Sequence, residues 1–346
     1  MKNNKLIYFA LVFIIFFATF SVWMYNAFTG KNFLSKKGDK AMYIYIKKDA
    51  SFLDVLHGLE KKEVINDGLS FAFTSKLMSY QDNVKPGRYL IEPKMNNIQV
   101  IRLLRSGKRD VVKITYNNIN DYNLLAEAVC GKTLLSSKIE FDSLLHSSEH
   151  LSKYGFDSST ILAMFIPNTY EVYWDESAEN LFDRINKEYK KFWNPNRIKK
   201  AKDLNLTAIE VISLAAIVQG ETLNKKEQKT VAGLYLNRVK QGIKLEADPT
   251  LAYISGKSGR EIMNIHKEID SPYNTYMYKG IPPGPIAMPD VWAIDAVLNY
   301  ESHEYIFMCA KGDGSGLHNF AKTNRQHNIN VSNYKKNLRS YKKRNN

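Results

Sequence analysis

Glu221 is the acidic side chain best placed by its surroundings to do chemistry. Thr207-Ala208-Ile209-Glu210 has the form of a capping box and opens a helix. Ile209, Ile212, Ala216 and Ile217 recur along it at three- and four-residue steps, and the pattern runs on through Val218. Glu221 stands four residues after Ile217 and seven after Leu214, which points it off the apolar face. A carboxyl group there is desolvated, its pKa rises, and it can serve as a general acid near neutral pH. Spacing alone leaves open a glutamate at a helix end that simply faces water.

Other polar groups follow. Asn224-Lys225-Lys226-Glu227 is a second capping-box form, opening a helix to about Gln241, with Gly242 as the stop. Val231, Leu234, Tyr235 and Val239 make its apolar stripe, and Asn237 and Arg238 are polar residues near its end. In Asp248-Pro249-Thr250 the aspartate reads as a helix N-cap with proline at the first helical position. Tyr273-Asn274-Thr275-Tyr276 precedes Gly280-Ile281-Pro282-Pro283-Gly284-Pro285-Ile286, and four of the ten prolines fall between 282 and 289. Such a segment is stiff and poor in backbone donors, so it can wall a groove or form a rigid surface loop. His318 and His327 stand nine apart with no Cys/His cluster to join them, so neither a metal nor a cofactor is expected.

The elements around these residues divide into regions. After Lys2 and Lys5, the run Leu6–Phe28 carries no charged residue and is long enough to cross a bilayer core. It ends in Val22-Trp23-Met24-Tyr25-Asn26, bulky and aromatic rather than small, which favours a retained anchor over a cleaved signal peptide. Lysines flank it on both sides, so charge does not orient it. Residues 31–41 read as a polar linker. A small α+β module is expected over 42–107: a strand at Met42–Ile46, helices at Phe52–Leu59, Phe71–Met78 and Ile98–Leu104, and a turn into a strand at Lys85–Ile91. A larger mixed α+β domain follows over 108–335, its core about 160–330. It opens with a strand at Val111–Tyr116 and helices at Asp121–Val129, Phe141–His146 and Leu181–Phe192. The fold class is therefore α+β behind a single transmembrane helix.

The formal charge of +14 invites a nucleic-acid reading, but the lysines are scattered and six basic residues sit in the tail, Lys335, Lys336, Arg339, Lys342, Lys343 and Arg344. The stretch 336–346 reads as a solvated basic end. No zinc-finger or RNP-like spacing occurs, so no nucleic-acid partner is expected. Cys130 and Cys309 do not make a disulfide framework and read as two buried thiols in apolar surroundings, with one disulfide in an oxidising compartment as the alternative.

Taken in order, the segments Ile217-Val218-Gln219-Gly220-Glu221-Thr222, Val231-Ala232-Gly233 with Asn237-Arg238, Leu245-Glu246-Ala247-Asp248-Pro249-Thr250, Tyr273-Asn274-Thr275-Tyr276, Gly280–Ile286 and His318-x-Phe320 resemble the endolytic murein transglycosylases, the MltG or YceG-like family. Pro167-Asn168-Thr169-Tyr170 resembles that family's Pro-Asp-Thr-Tyr segment, and residues 42–107 resemble its LysM-like module. Two departures are Gln219, where the family usually has glutamate, and Gly316-Leu317-His318 in place of Gly-Gly-His. The first argues that Glu221 is the essential carboxylate.

The resemblance implies a lytic transglycosylase in which one carboxyl suffices. Glu221 protonates the oxygen of the MurNAc–GlcNAc β-1,4 bond, then takes the proton of the muramyl 6-hydroxyl as that oxygen attacks its own anomeric carbon, leaving a 1,6-anhydromuramyl end. It implies substrate contacts from Thr222, Asn237, Arg238, Asp248, Thr250, Asn274, Thr275, Tyr276, Pro283 and His318. It also implies residence on the outer side of the cytoplasmic (inner) membrane, with peptidoglycan strands as substrate and peptidoglycan synthases as candidate partners. The competing reading is a non-catalytic, membrane-tethered peptidoglycan-binding scaffold or regulator of those synthases.

Overall fold

The computed structural model describes residues 2–34 and 40–345. Its contacts separate into one unit of residues 1–113, 132–134 and 171–176 and a second of residues 114–131, 135–170 and 177–346. The divide falls inside a strand rather than at residue 108.

The first unit begins with helix α1, Lys2–Thr29. Its stretch Lys5–Thr29, of 25 residues, is long and apolar enough to cross a membrane and buries none of its most apolar window within the protein. Strand β1 (Met42–Ile46), helices α2 (Phe52–Lys61) and α3 (Gly68–Leu77), strand β2 (Gly87–Ile91) and helix α4 (Asn97–Ser106) follow. β1 and β2 pair antiparallel with Ile44 opposite Tyr89.

Local chemistry sets the helix ends. Ser51 and Asp54 form a reciprocal capping box on α2, Asn96 and Gln99 do the same on α4, and Asp67 caps α3. α4 stops at Gly107, whose φ of 67° lies in the left-handed region that glycine enters without penalty. Because Asp67 supplies the cap, α3 starts three residues before the Phe71 expected from apolar spacing.

The core of this unit gathers Ile44, Ile46, Phe52, Phe71, Tyr80, Tyr89 and Ile101 with Phe33. The last is a correction to the expected linker. Phe33 is fully buried and bridges to Ile65, and Lys31 bridges to Asn96. Residues 31–34 are therefore part of the module, and residues 35–39 of the expected linker lie outside the described residues. Beyond α4, Arg109 makes a two-point pair with Asp175, at 3.0 and 2.8 Å.

Strands β3 (Val111–Tyr116) and β4 (Asn168–Tyr173) form a two-stranded sheet. β3 alternates strictly, burying Val112, Ile114 and Tyr116. The second unit carries helices α5 (Tyr122–Cys130), α6 (Leu135–Leu145), α7 (Ser148–Ser152), α8 (Ala178–Phe192), α9 (Pro195–Asp203), α10 (Ala208–Glu221), α11 (Lys225–Lys240), α12 (Asp248–Ser255) and α13 (Val291–Leu298). It closes with the antiparallel pair β5 (Phe307–Ala310) and β6 (His318–Ala321) and helix α14 (Asn324–Asn345). α9 was invisible to apolar periodicity because it buries only Ala201, yet Asn194 caps it and Pro195 occupies its first turn. The basic tail, its lysines and arginines exposed, is helical. It forms the last turns of α14, where the Tyr341 ring lies against Gly314.

Replacing Phe33 by Ala should destabilise the protein by about 3–5 kcal/mol, the usual cost of emptying a buried phenylalanine site. Urea unfolding of the two proteins checks this; a change under about 0.5 kcal/mol would return residues 31–34 to linker status.

Candidate active site

α10 is buried on nearly every side. Thr207 and Glu210 form the expected capping box, with the Thr207 N–H donating to Glu210 Oε2 at 2.7 Å, and every residue from Val211 to Val218 is buried. A helix apolar all round belongs in the middle of a domain. Its last residue, Glu221, emerges where the core ends. The residue before it has to be glycine, since a Cβ on Gly220 would lie 2.7 Å from the Pro249 ring.

α11 supplies the partner. The Tyr235 hydroxyl donates to Glu221 Oε1 at 2.7 Å, and Tyr235 is 1% exposed. One turn on, the buried guanidinium of Arg238 donates to the carbonyls of Lys244, Leu245 and Ile306 and to Glu246 Oε2. From the other side, the Glu246 N–H donates to the Thr275 carbonyl and the Ala247 N–H to Thr275 Oγ1. The stretch 244–247 is thereby held from both flanks and delivers Asp248 beside Glu221. Asp248 does not cap α12, as its sequence context suggests; Ala247 is the N-cap, and the Asp248 carboxylate accepts the Tyr276 hydroxyl at 2.7 Å.

Two cavities meet here. One, of about 780 Å³, is edged by Asn118, Gln219, Tyr253 and Met288; the other, of about 440 Å³, by Tyr235, Arg238, Tyr276 and His318. Glu221 and Asp248 line both. Burial pushes the Glu221 carboxyl up to about 7, and the charge of Asp248 adds to the rise. The Tyr235 hydrogen bond and Arg238 pull the other way. Desolvation wins, which leaves a substantial fraction protonated near neutrality.

Of the residues the sequence nominated, Glu221, Thr222, Arg238, Asp248, Tyr276 and His318 border one cavity or the other. Asn237, Thr250, Asn274, Thr275 and Pro283 do not. Asn237 donates to the carbonyls of His303 and Tyr305. Thr250 and Thr275 are buried against each other at 2.9 Å. Asn274, fully buried, ties the carbonyls of Lys267 and Ile269 to the Tyr276 N–H. Pro283 is exposed, and the wall is made instead by Ile286–Pro289. The other four, Asn237, Thr250, Asn274 and Thr275, hold the backbone around the site.

Glu227 also departs from expectation. Asn224 caps α11 alone, while Glu227, 8% exposed, accepts the His318 N–H at 2.7 Å and pairs with its Nδ1 at 2.9 Å. Gln219 accepts the Asp290 N–H at 2.7 Å, a task for an amide oxygen that requires no carboxylate. Tyr235 and Tyr253 escaped the sequence reading. A tyrosine in an apolar stripe reads as core, and only the opposite helix reveals what its hydroxyl meets. Among the described residues no group of three His, Cys, Asp or Glu side chains is arranged to hold a metal.

The profile described as the YceG-like family matches residues 44–333. The chain belongs to that family. It is 25% identical over 317 residues to a Bacillus subtilis protein named endolytic murein transglycosylase, covering 86% of this chain and 87% of that one. A Streptococcus pneumoniae protein of the same name is 25% identical over 328 residues, covering 85% of this chain but 58% of the relative. The chain thus spans little more than half of the pneumococcal protein. A crystal structure of a YceG-like protein from Listeria monocytogenes superposes with a TM-score of 0.53 at 24% identity, covering 84% of this chain and 98% of that one. This neighbour shares the α+β fold.

Tyr235→Phe removes a hydrogen bond that favours the charged form of Glu221. The alkaline limb of any activity that needs Glu221 protonated should therefore move to higher pH. A pH profile of kcat/KM for both proteins tests this; a limb that stays put or moves down would show that the hydroxyl does not tune the carboxyl.

Proposed function

We propose that this YceG-like protein is an endolytic lytic transglycosylase that cuts the MurNAc–GlcNAc β-1,4 bond of peptidoglycan strands, with Glu221 as its acid and base. The observation that carries the reading is the Glu221 carboxyl at the junction of two open cavities, its pKa raised by burial. A strand can run through both, with its scissile oxygen at the junction, which suits cutting within a chain.

Glu221 in its acid form gives its proton to the glycosidic oxygen as the bond to the muramyl anomeric carbon breaks. The carboxylate then accepts the proton of the 6-hydroxyl as that oxygen bonds to the same carbon. The 1,6-anhydro ring forms, no water is consumed, and Glu221 ends as it began. A pKa near 7 suits a group that must both give and take a proton. Tyr276, Arg238, Thr222 and His318 border the path of the strand, and Tyr253, 40% exposed, offers a ring face for a sugar.

In the same reading α1 anchors the protein in the cytoplasmic membrane with the rest outside, the β1–β2 module is LysM-like and holds glycan, and cutting nascent strands terminates their elongation. Peptidoglycan synthases are the corresponding partners. Asp248 favours a second reading. It is a second carboxylate on the same cavities, and a pair of carboxylates is what hydrolytic glycosidases use.

Glu221→Gln should lower the release of anhydromuramyl ends from purified peptidoglycan by at least about 10²–10⁴-fold, the range general acid–base catalysis supplies. Mass analysis of the ends decides between readings: near-normal release by the variant defeats the assignment of Glu221, and reducing rather than anhydro ends from the wild type selects hydrolysis.

The same substitution has a stability signature. The folded carboxyl titrates above its unfolded value of 4.5, so between about 4.5 and 7 the native state holds more protons than the unfolded state and loses stability as pH rises. Glutamine carries no such penalty. Its Tm should exceed that of the wild type at pH 8, and the difference should shrink toward pH 4; a gap independent of pH would mean that Glu221 is not desolvated.

A further inference from the structure

The end of α1 is locked into the first unit. The Ala27 carbonyl accepts both the Asn97 amide at 2.8 Å and the Thr74 hydroxyl at 3.3 Å, and Ala27 is 3% exposed. Just beyond, buried Asn32 donates to Asn97 Oδ1 and to the Asp67 carbonyl and accepts the Asp67 N–H. The Phe73 ring lies 5.1 Å from Trp23 and 6.4 Å from Phe28. Partners of α3 thus step from Asn32 at its start back to Ala27 and Trp23 farther along, so α3 runs antiparallel beside the last turns of α1.

That placement sets a depth. A hydrocarbon core needs about 20 helical residues at a rise of about 1.5 Å each. Counted from Leu6, the core ends near Tyr25, and Trp23 falls at its boundary with the interfacial layer where aromatic residues concentrate. Phe73 shares that level. Leu77, one turn farther toward the membrane and on the same face of α3, is 59% exposed; Leu69, one turn the other way, is 82% exposed. Exposed Lys76 stands beside Leu77, where its ammonium can reach headgroups. The stripe Leu69–Phe73–Leu77 continues the exposed face of α1 through Trp23.

We propose that α3 is an interfacial helix embedded in the outer leaflet of the same bilayer that α1 crosses, with Leu77 at the acyl boundary and Leu69 among the headgroups. The occupant of this apolar stripe is lipid, and the module is a membrane-surface element rather than a domain on a flexible tether. The inference rests on the reading of α1 as a spanning anchor.

The test uses the full-length protein in liposomes, with Cys130 and Cys309 replaced by Ala and a single nitroxide placed in turn at Leu77→Cys, Leu69→Cys, Ile15→Cys and Ser152→Cys. Collision with oxygen reports lipid, and collision with a water-soluble nickel chelate reports solvent. Ile15 is the lipid standard and exposed, polar Ser152 the aqueous one. The expected result is oxygen-rich, nickel-poor accessibility at Leu77, close to that of Ile15, and an intermediate value at Leu69. Leu77 matching Ser152 while Ile15 remains in lipid overturns the interfacial helix alone. Ile15 matching Ser152 overturns the anchor and the inference with it.

Discussion

Drawing a carboxyl group away from water is costly, and the second unit is arranged around one held at the edge of its core. α10 is buried from Val211 to Val218, and its terminal carboxyl stands half-buried at the edge of that core. Tyr235, itself buried, meets Glu221 from α11 and limits the rise in its pKa by stabilising the anion. Asp248 acts in the opposite sense. The balance near 7 is a product of tertiary packing: burial pushes up, one hydrogen bond and one guanidinium pull down, and one neighbouring charge adds to the push.

The residues shared with the family's ordered motifs divide into two kinds. A few border the cavities. Others, and Arg238 of the cavity wall with them, hold irregular backbone in place, a demand that loops impose because their buried N–H and C=O groups find no ladder to join. Arg238 satisfies three carbonyls, Asn274 two carbonyls and an N–H, and Asn237 two carbonyls. An amide or guanidinium suits this work because it offers several donors in fixed geometry. Glu227 does the same for the turn into β6, whose Gly316 adopts a φ of 71° before Leu317 and His318.

In the first unit a comparable polar cluster does a different job. Asn32, Ser70, Thr74 and Asn97 are all buried, and together they satisfy one another and the Ala27 carbonyl in the last turn of α1. A helix end buried beside a module needs such partners, because its final carbonyls have none within the helix. The module and the helix are consequently one folded body, and the apolar surface of α3 is held at a fixed height along α1.

Much of this was legible in the sequence because it depends on neighbours along the chain. The capping box at Thr207 is local chemistry, and so is the apolar length of α1. Glu221 was legible as a candidate because helical spacing places it off an apolar face. Its partner was not: Tyr235 lies on another helix, and nothing in an apolar stripe distinguishes a tyrosine that packs from one that donates to a carboxylate. The same blindness misread Asp248 and Glu227 as helix caps, since local sequence offers each a cap while tertiary structure offers Tyr276 and His318. It made a linker of residues 31–34, where a short polar context hides a phenylalanine bound for the core. Spacing along a chain specifies which face a side chain occupies; what waits opposite that face is decided only when distant segments pack.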